Sequence, residues 1–395
     1  MVSYDGGLGI RYKYFPLETR QRCFKLKMRR ILLLIAIFTI LGVLLPSMQV
    51  TAAKPKIVVL MKGMMGTDIQ LEAAIVDFPI YDWVVVTETL TASDLEGANV
   101  LIIVLVDATM TITNEELTVI KNWLNEGHKM IWIAGDSDYG NEGPPRQDTA
   151  NKVLEAIGSK LRVDLAEAVD TQSNAGKPYR VLGLAENCDE EVKFLVAGVT
   201  RALFHGPAAI IAYVDGNYVK LNEMKVENVY RVMWTSDAGM ISEFNPPNSP
   251  VYTPGEEGRF VLLAIEVVPD KKNIIVVGGD APFDHYTGMY KPELKNPPRY
   301  EEEYPTQGAM LFSNIIYWGV NVDEFIELVS YPTQIKELQD QVSGLQSQVS
   351  SLQEQVTTLE GEVAAARSTG PMYLVGGIVV GLIIGFAVAF FMKKK

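Results

Sequence analysis

Short apolar segments alternate with helical patterns from Lys54 to about Tyr331, and this alternation constrains the fold more than any other feature. The segment "NVLIIVLV", Asn99 to Val106, is apolar throughout, which is typical of a central strand covered on both faces. A capping-box pattern follows at Thr113 and Glu116, and the next strand-like run is "KMIWIAG", Lys129 to Gly135. Strands that alternate with helices in this way predict an α/β fold with a parallel sheet.

The rest of this region supplies further predicted strands and helices. Shorter β-like runs between about Leu161 and Phe244 predict a β-rich insertion, and Asp270 to Asn273 has the composition of a hairpin turn. The other predicted strands are Lys56 to Met61, Asp82 to Val86, Ala208 to Val214, Val229 to Trp234, Arg259 to Val268 and Asn273 to Asp280, and the other predicted helices are Asp148 to Ile157 and Thr306 to Trp318.

Four stretches in a fixed order resemble a known kind of domain. They are "ANVLIIVLVDATMTITNEELTVIKNWLNEGHKMIWIAGDSD", "DTANKVLEAIG", "GRFVLLAIEVVPDKKNIIVVGGDAPF" and "MLFSNIIYWGV". Together they are similar to the class I glutamine amidotransferase-like domains of gliding-motility-type ABC transporter components and to related domains of unknown function. The resemblance covers roughly residues 54–320 and implies a flavodoxin-like sheet, with a transporter as a partner.

The same resemblance locates the amidotransferase nucleophile. In class I amidotransferases, the strand that corresponds to Met130 to Ala134 delivers a catalytic cysteine, whereas this chain has Gly135, Asp136, Ser137 and Asp138 after it. Cys188 lies elsewhere, in "ENCDEE", where neighbouring acids oppose thiolate formation. Glutamine hydrolysis by that mechanism is therefore not expected.

Polar residues that follow two predicted strands form the candidate site. They are Asp136, Ser137 and Asp138 after the first strand and Asp280, Asp284 and His285, in "GGDAPFDH", after the second. Because the carboxyl ends of parallel strands meet at one edge of a sheet, we expect these side chains to lie close together.

Three interpretations of this edge remain open. Asp and Ser can bond their own backbone in a simple turn, or the four aspartates can supply oxygen ligands to Ca²⁺ or Mg²⁺. Alternatively, Ser137 acts as a nucleophile with His285 as its base and Asp280 or Asp284 as the orienting acid. The elbow pattern G-x-S-x-G is not met, because Tyr139 occupies the second glycine position.

Charge and motif content exclude several classes of function. The chain has 35 basic and 48 acidic residues. Residues 1–52 contain 8 of the basic and 2 of the acidic residues, so the remainder, with 27 basic and 46 acidic residues, carries a net charge of about −19. Such a surface repels phosphate backbones, and no nucleic-acid partner is expected. Neither G-x-x-x-x-G-K-[ST] nor closely spaced histidines occur, so neither a phosphate loop nor a histidine-rich metal site is expected.

Both ends of the chain carry targeting patterns. Basic residues precede the apolar run "ILLLIAIFTILGVLL", and Ala52 closes a small-residue cleavage site, so residues 28–52 are predicted to be a signal peptide. Residues 1–27 fit no part of that pattern, and one hypothesis is a misassigned start before Met28. Residues 372–392 contain an uncharged run followed by Lys393 to Lys395, which predicts a transmembrane helix with its lysine tail in the cytoplasm and the head outside.

A heptad pattern between residues 335 and 366 predicts a stalk. β-Branched residues occupy the a positions from Ile335 to Val363, and leucine occupies four of the five d positions from Leu338 to Ala366. This combination favours a parallel two-stranded coiled coil, and glycines every four residues in the apolar run would let two membrane helices approach closely. The predicted dimer contacts are Val342, Leu345, Val349, Leu352, Val356, Leu359, Gly377, Gly381 and Gly385.

The combined layout predicts a cell-surface protein. A head, stalk and single membrane helix resemble the organisation of archaeal envelope proteins, with envelope or transporter proteins as partners. We expect a non-enzymatic binding or scaffolding role for the head at residues 54–331, without a cofactor unless a Ca²⁺ or Mg²⁺ ion binds the acidic edge. The alternative is a surface hydrolase that uses Ser137 and His285.

Overall fold

A central mixed sheet with helices on its faces forms the head. The computed structural model describes residues 53–63, 68–105, 107–246, 249–295, 297, 300, 304–368 and 376–392. The strands are β1 (Lys56–Lys62), β2 (Asp82–Val86), β3 (Ala98–Leu105), β4 (Met130–Ala134), β5 (Leu161–Val163), β6 (Glu167–Asp170), β7 (Arg180–Leu184), β8 (Arg201–His205), β9 (Ile210–Val214), β10 (Asn217–Val219), β11 (Val229–Trp234), β12 (Gly239–Ser242), β13 (Val261–Val268) and β14 (Asn273–Gly278). The helices are α1 (Ile69–Asp77), α2 (Ala92–Leu95), α3 (Asn114–Asn125), α4 (Gly143–Ala156), α5 (Gly308–Val320), α6 (Val322–Ser368) and α7 (Gly376–Met392).

Half of the central sheet is parallel, as its apolar strands predict. Within the described residues the nine strands run in the order β2-β1-β3-β4-β14-β13-β11-β7-β8, and every pairing from β2 to β14 is parallel. The order of these five strands is the 2-1-3-4-5 order of flavodoxin-like sheets. Alternate residues of β1 enter separate apolar cores on the two faces, with Val59 in one and Leu60 in the other. The uninterrupted apolar character of the strands follows from this double coverage.

The other half of the sheet is antiparallel, which differs from the prediction of a parallel sheet with an insertion. Strands β13, β11, β7 and β8 extend the sheet beyond β14 with antiparallel pairings only. Three of these four come from the predicted β-rich insertion, so that segment completes the central sheet as well as forming two small sheets, β10-β9-β5 and β12-β6. The predicted hairpin turn is confirmed, because Lys272 adopts a left-handed conformation between antiparallel β13 and β14.

Helix boundaries follow their capping residues. The predicted capping box is confirmed: Thr113 Oγ1 accepts the Glu116 backbone N–H, and the Glu116 carboxylate accepts the Thr113 N–H at 2.8 Å. Helix α4 begins at Gly143 instead of the predicted Asp148, because prolines occupy its first turn. Proline is tolerated there, since the N–H groups of a first turn have no partner within the helix.

The predicted stalk is part of one continuous helix. Helix α6 starts inside the head, where Val322, Phe325 and Val329 are buried, and continues for 47 residues to Ser368. Along the predicted stalk, the apolar a and d side chains are exposed in the single chain; they are Ile335, Leu338, Val342, Leu345, Val349, Leu352, Val356 and Leu359.

The predicted membrane segment is described only in part. Its helix, α7, covers 17 residues and includes Gly377, Gly381 and Gly385. In the portion of the chain that the structure describes, no helix combines the length and the apolar character needed to cross a membrane. The predicted start, the signal peptide, residues 372–375 and the lysine tail lie outside the described residues.

Candidate functional site

A cleft of about 630 Å³ opens at the carboxyl ends of the parallel strands. Strands β4 and β14 are parallel neighbours, and the Gly135 N–H donates to the Gly278 carbonyl at 2.7 Å where they end. This pairing brings the two predicted acidic stretches to the same edge. The cleft is lined by Asp136, Ser137, Tyr139, Gly140, Asn141, Glu142, Arg146, Glu167, Tyr179, Arg180, His205, Gly206, Phe244, Asp284 and Tyr286.

Asp136 is paired with an arginine from the following helix. Its Oδ2 lies 2.6 Å from Arg146 Nη1, and its Oδ1 accepts the Ser137 backbone N–H at 2.8 Å. Burial raises the pKa of Asp136 to about 6; the Asp284 charge adds to that effect and Arg146 opposes it. Arg146 also contacts Glu142, so this guanidinium holds two carboxylates of the lining.

Ser137 lies on the cleft wall and bonds to a neighbouring backbone N–H. The side chain is buried, and its Oγ accepts the Tyr139 backbone N–H at 3.4 Å. Within the described part of the chain, no hydrogen bond joins Ser137 to a histidine. The local geometry is therefore that of a turn stabilised by its own side chains.

Asp138 and Asp280 accept hydrogen bonds from backbone segments beside the cleft. Oδ2 of Asp138 accepts the N–H groups of Phe244 and Asn245 at 2.7 and 2.8 Å, which fixes that loop at the cleft rim. Asp280 accepts the N–H groups of His205 and Ala281, both at 2.7 Å. Burial raises the pKa of each carboxyl above its usual range. Neither aspartate is among the residues that line the cleft.

Asp284 and His285 form an acid–histidine pair beside the cleft. His285 Nδ1 lies 2.9 Å from Asp284 Oδ1, and its Nε2 lies 3.7 Å from Glu142 Oε2. Burial acts to raise the pKa of Asp284, but the adjacent His285 and the Tyr286 N–H bring it below the usual value. The Asp284 side chain reaches the cleft lining, whereas His285 is not among the lining residues.

Among the polar lining residues that the sequence did not predict, three lie on strands of the middle segment. Glu167 starts β6, Arg180 starts β7 and His205 ends β8, so antiparallel pairing carries them to an edge that sequence spacing does not reveal. Burial raises the pKa of Glu167 to about 8, with the charges of Asp138 and Asp136 contributing. Burial and the nearby Arg180 charge lower the pKa of His205 below its ordinary value.

The candidate metal ligands bond to protein groups, and Cys188 is buried. Among the residues that the structure describes, no three His, Cys, Asp or Glu side chains are grouped so as to hold a metal ion. Each of the four aspartates predicted as Ca²⁺ or Mg²⁺ ligands accepts a protein N–H group. Cys188 is buried, and burial with the neighbouring acids raises the pKa of its thiol to about 12, so it remains a thiol at neutral pH.

Comparison with known proteins does not show a family for this chain. No family model matches the sequence, and no curated protein matches it. A solved structure described as "mmIFT52 N-terminal domain" aligns with a TM-score of 0.42 and 12% sequence identity, covering 67% of this chain and 97% of that one.

Proposed function

We propose that this chain is a membrane-anchored extracellular binding or scaffold protein with a catalytically degenerate, amidotransferase-like head. The strand end at which an amidotransferase carries its cysteine has Asp136 and Ser137 here. Their polar atoms are engaged by neighbours: Asp136 by Arg146 and Ser137 by a backbone N–H. Because these side chains bond to neighbouring protein groups, they stabilise the rim of the cleft, and the space between them can hold a ligand.

The observation that carries the binding proposal is an aromatic rim around the cleft. Four lining side chains keep large exposed fractions: Tyr139 66%, Tyr179 36%, Phe244 46% and Tyr286 58%. The Tyr139 and Phe244 rings meet edge to face at 5.0 Å. Exposed aromatic side chains that surround a concave, polar-floored pocket are characteristic of ligand sites, since they offer contact area at small cost in conformational entropy.

The rest of the chain supports presentation of this head at a surface. The exposed a and d stripe of α6 matches a second copy of the same helix. The uncharged segment that includes α7 has the composition of a membrane anchor, and its glycines favour the same dimer. In this proposal the head projects outside the cell, and envelope or ABC transporter proteins are its protein partners.

A surface hydrolase remains the second candidate because of one contact. His285 Nδ1 lies 2.9 Å from Asp284 Oδ1 but makes no hydrogen bond within the described residues, so a small ring rotation would be needed before Asp284 could orient a histidine base. Ser137 lines the same cleft as Asp284. A rotation of the Ser137 and His285 side chains on substrate binding would be needed to bring the nucleophile and base together.

An activity comparison separates the two candidates. The full-length chain in detergent is incubated with nitrophenyl esters, amides and glycosides beside its Ser137→Ala and His285→Ala variants, with the exposed Ser93→Ala as a matched control. We expect all four proteins to show the same background rate. If instead the wild-type chain turns over a substrate and both site variants lose roughly a hundredfold or more, the binding proposal is wrong.

A further inference from the structure

Arg180 is a buried cation in the cleft wall that forms no ion pair with the part of the chain that the structure describes. The side chain is 6% exposed. Its Nη2 donates to the Tyr179 hydroxyl at 3.0 Å, and its guanidinium lies 5.1 Å and 5.7 Å from the ring centres of Tyr179 and Tyr300. Within the described residues, its buried Nε has no hydrogen-bond partner. Burial of a guanidinium with an unpaired N–H costs free energy, unless a bound anion balances its charge and accepts a hydrogen bond from that N–H.

The described carboxylates that line the cleft do not form an ion pair with Arg180. Asp136 is held by Arg146, and Asp284 is beside His285. Glu167 is 3% exposed, and because burial raises its pKa to about 8 it is predominantly protonated at neutral pH. Nor does its Oε2 have a hydrogen-bond partner in the part of the chain that the structure describes. The cleft therefore contains two buried polar groups, a guanidinium and a carboxylic acid, that can each donate to a ligand oxygen.

Gly206 lies in the cleft wall near both donors, Arg180 and Glu167. Its backbone N–H donates to the Tyr179 carbonyl at 2.6 Å, next to Arg180. A Cβ placed on Gly206 would lie 3.6 Å from Glu167 Oε1. In addition, Arg180 and His205 are cross-strand partners on β7 and β8. Arg180, Glu167 and the His205 ring therefore belong to one part of the cleft.

The aromatic residues indicate the shape of the ligand. His205 and Tyr286 are stacked with ring centres 6.0 Å apart, and Tyr179 meets His205 edge to face at 5.6 Å. Aromatic faces of this kind pack against the C–H face of a pyranose, while its hydroxyl groups use polar side chains. A volume of about 630 Å³ accommodates a small ligand of one or two such rings.

We infer that the cleft binds a carboxylate-bearing sugar of the uronic acid class. The carboxylate is held by Arg180, a hydroxyl group accepts a hydrogen bond from Glu167, and the ring packs between the aromatic side chains. Arginine suits this role because its planar fork matches the two oxygens of a carboxylate. This inference rests on the proposed binding function and specifies its ligand.

The test compares an acid with its ester on the full-length chain in detergent. Titration calorimetry is performed with methyl galacturonide and methyl glucuronide, and with their methyl esters, which keep the ring but lose the charge. We expect at least one acid to bind roughly tenfold or more tightly than its ester, as loss of a charge-assisted pair requires. This comparison needs no protein variant. Equal affinity of acid and ester would overturn the inference.

Protein variants test the residue assignment. Arg180→Gln should bring the affinity for the acid down to that for the ester, whereas Arg201→Gln, on β8 outside the cleft lining, should leave both affinities unchanged. Circular dichroism establishes that each variant is folded. Wild-type acid affinity in folded Arg180→Gln overturns the role of Arg180, and if that variant does not fold, the acid and ester comparison on the wild-type chain decides.

Two further probes distinguish the source of the carboxylate and the underlying function. A short peptide with a free C-terminus is compared with its C-terminal amide; binding of the peptide acid without binding of either uronide overturns the sugar assignment. Binding of neutral oligosaccharides alone overturns the inference but leaves the proposed binding function intact. Hydrolysis of a probe that depends on Ser137 and His285 contradicts the proposed function itself.

Discussion

Burial disfavours the ionised form of several carboxyl groups at the sheet edge. Burial raises the pKa of Asp136 to about 6, of Asp164 to about 7 and of Glu167 to about 8. Asp136 has an arginine partner, and Asp164 accepts a hydrogen bond from Ser249. Among the described residues, no group donates a hydrogen bond to Glu167 Oε2, so ionisation of Glu167 costs the most free energy of the three.

Glu167→Gln should therefore change how stability depends on pH. The pKa of Glu167 is higher in the folded chain, about 8, than its ordinary value of 4.5. Its contribution to stability is full below about pH 4.5 and is lost as the pH rises through about 8. We expect the variant to gain stability over the wild type between about pH 5 and pH 9, by roughly 2–5 kcal/mol, measured by urea unfolding at each pH.

Glu88→Gln is the matched control for this experiment. Glu88 is exposed on the head, and replacing it removes the same charge without changing a buried carboxyl. Its pH dependence should follow the wild type. A Glu167→Gln profile parallel to that of Glu88→Gln would show that Glu167 ionises freely in the folded chain.

The accuracy of the sequence-based prediction differs between residues for a physical reason. Asp136, Ser137 and Asp284 reach the cleft because each follows a parallel strand, whose direction is readable from the order of strands and helices. Glu167 and Arg180 reach it through antiparallel pairing of short strands, which depends on long-range contacts. Asp138 and Asp280 were placed at the correct edge, but their side chains turn to satisfy backbone N–H groups.

At the scale of elements, local sequence patterns predicted the segments with a clear apolar run or a capping motif. Strand β2 and strand β11 have the predicted bounds, and the N-terminal cap of α3 is the predicted Thr113. The short strands of the middle segment, such as β5 and β12, carry too few residues for a pattern to be visible. Helix α4 begins earlier than the sequence predicts, because the prolines before Asp148 form its first turn and not a loop.

The stalk part of α6 should dimerise. A chain of residues 53–366 is expected to sediment as a dimer at micromolar concentration, because a dimer buries the exposed stripe that includes Val349 and Leu352. A chain that ends at Tyr331 should be a monomer, since it keeps the buried residues of the first turns of α6 but lacks the stripe. Analytical ultracentrifugation measures both.

Substitutions on two faces of α6 provide the control. Val349→Glu combined with Leu352→Glu should convert the longer chain to a monomer, because charged side chains would have to be buried at the seam. Ser347→Glu combined with Ser350→Glu adds the same charge on the outer face and should leave the dimer intact. A wild-type chain that is already monomeric rules out the coiled coil.

The whole molecule combines a head, a stalk helix and an apolar C-terminal segment. Asp323 attaches the stalk helix to the head through two polar contacts: its Oδ2 lies 2.9 Å from His128 Nδ1, and its Oδ1 lies 2.9 Å from Lys272 Nζ. These contacts are exposed and contribute little energy by themselves. The buried side chains of Val322, Phe325 and Val329 contribute the larger part of the attachment.

The C-terminal segment should decide membrane association. The full-length chain expressed in a bacterial host is expected to remain in membranes after carbonate extraction, whereas a chain that stops at Gly370 should appear in the soluble fraction. An uncharged run of this length reaches across about 30 Å of hydrocarbon as a helix. Removal of only Lys393 to Lys395 is the control and should leave the protein in the membrane. A full-length chain that is fully extracted would contradict the anchor.

The sequence by itself determined the class of fold, the parallel strands, the main helices and the edge at which polar groups collect. These features depend on local periodicity, caps and strand direction, which neighbouring residues encode. Only the tertiary structure decided that the middle segment completes the central sheet, that Arg180 and Glu167 join the cleft, and that the Ser137 hydroxyl bonds to the Tyr139 N–H. Those outcomes depend on which distant strands pair and which buried polar groups satisfy one another, and no short stretch of sequence contains that information.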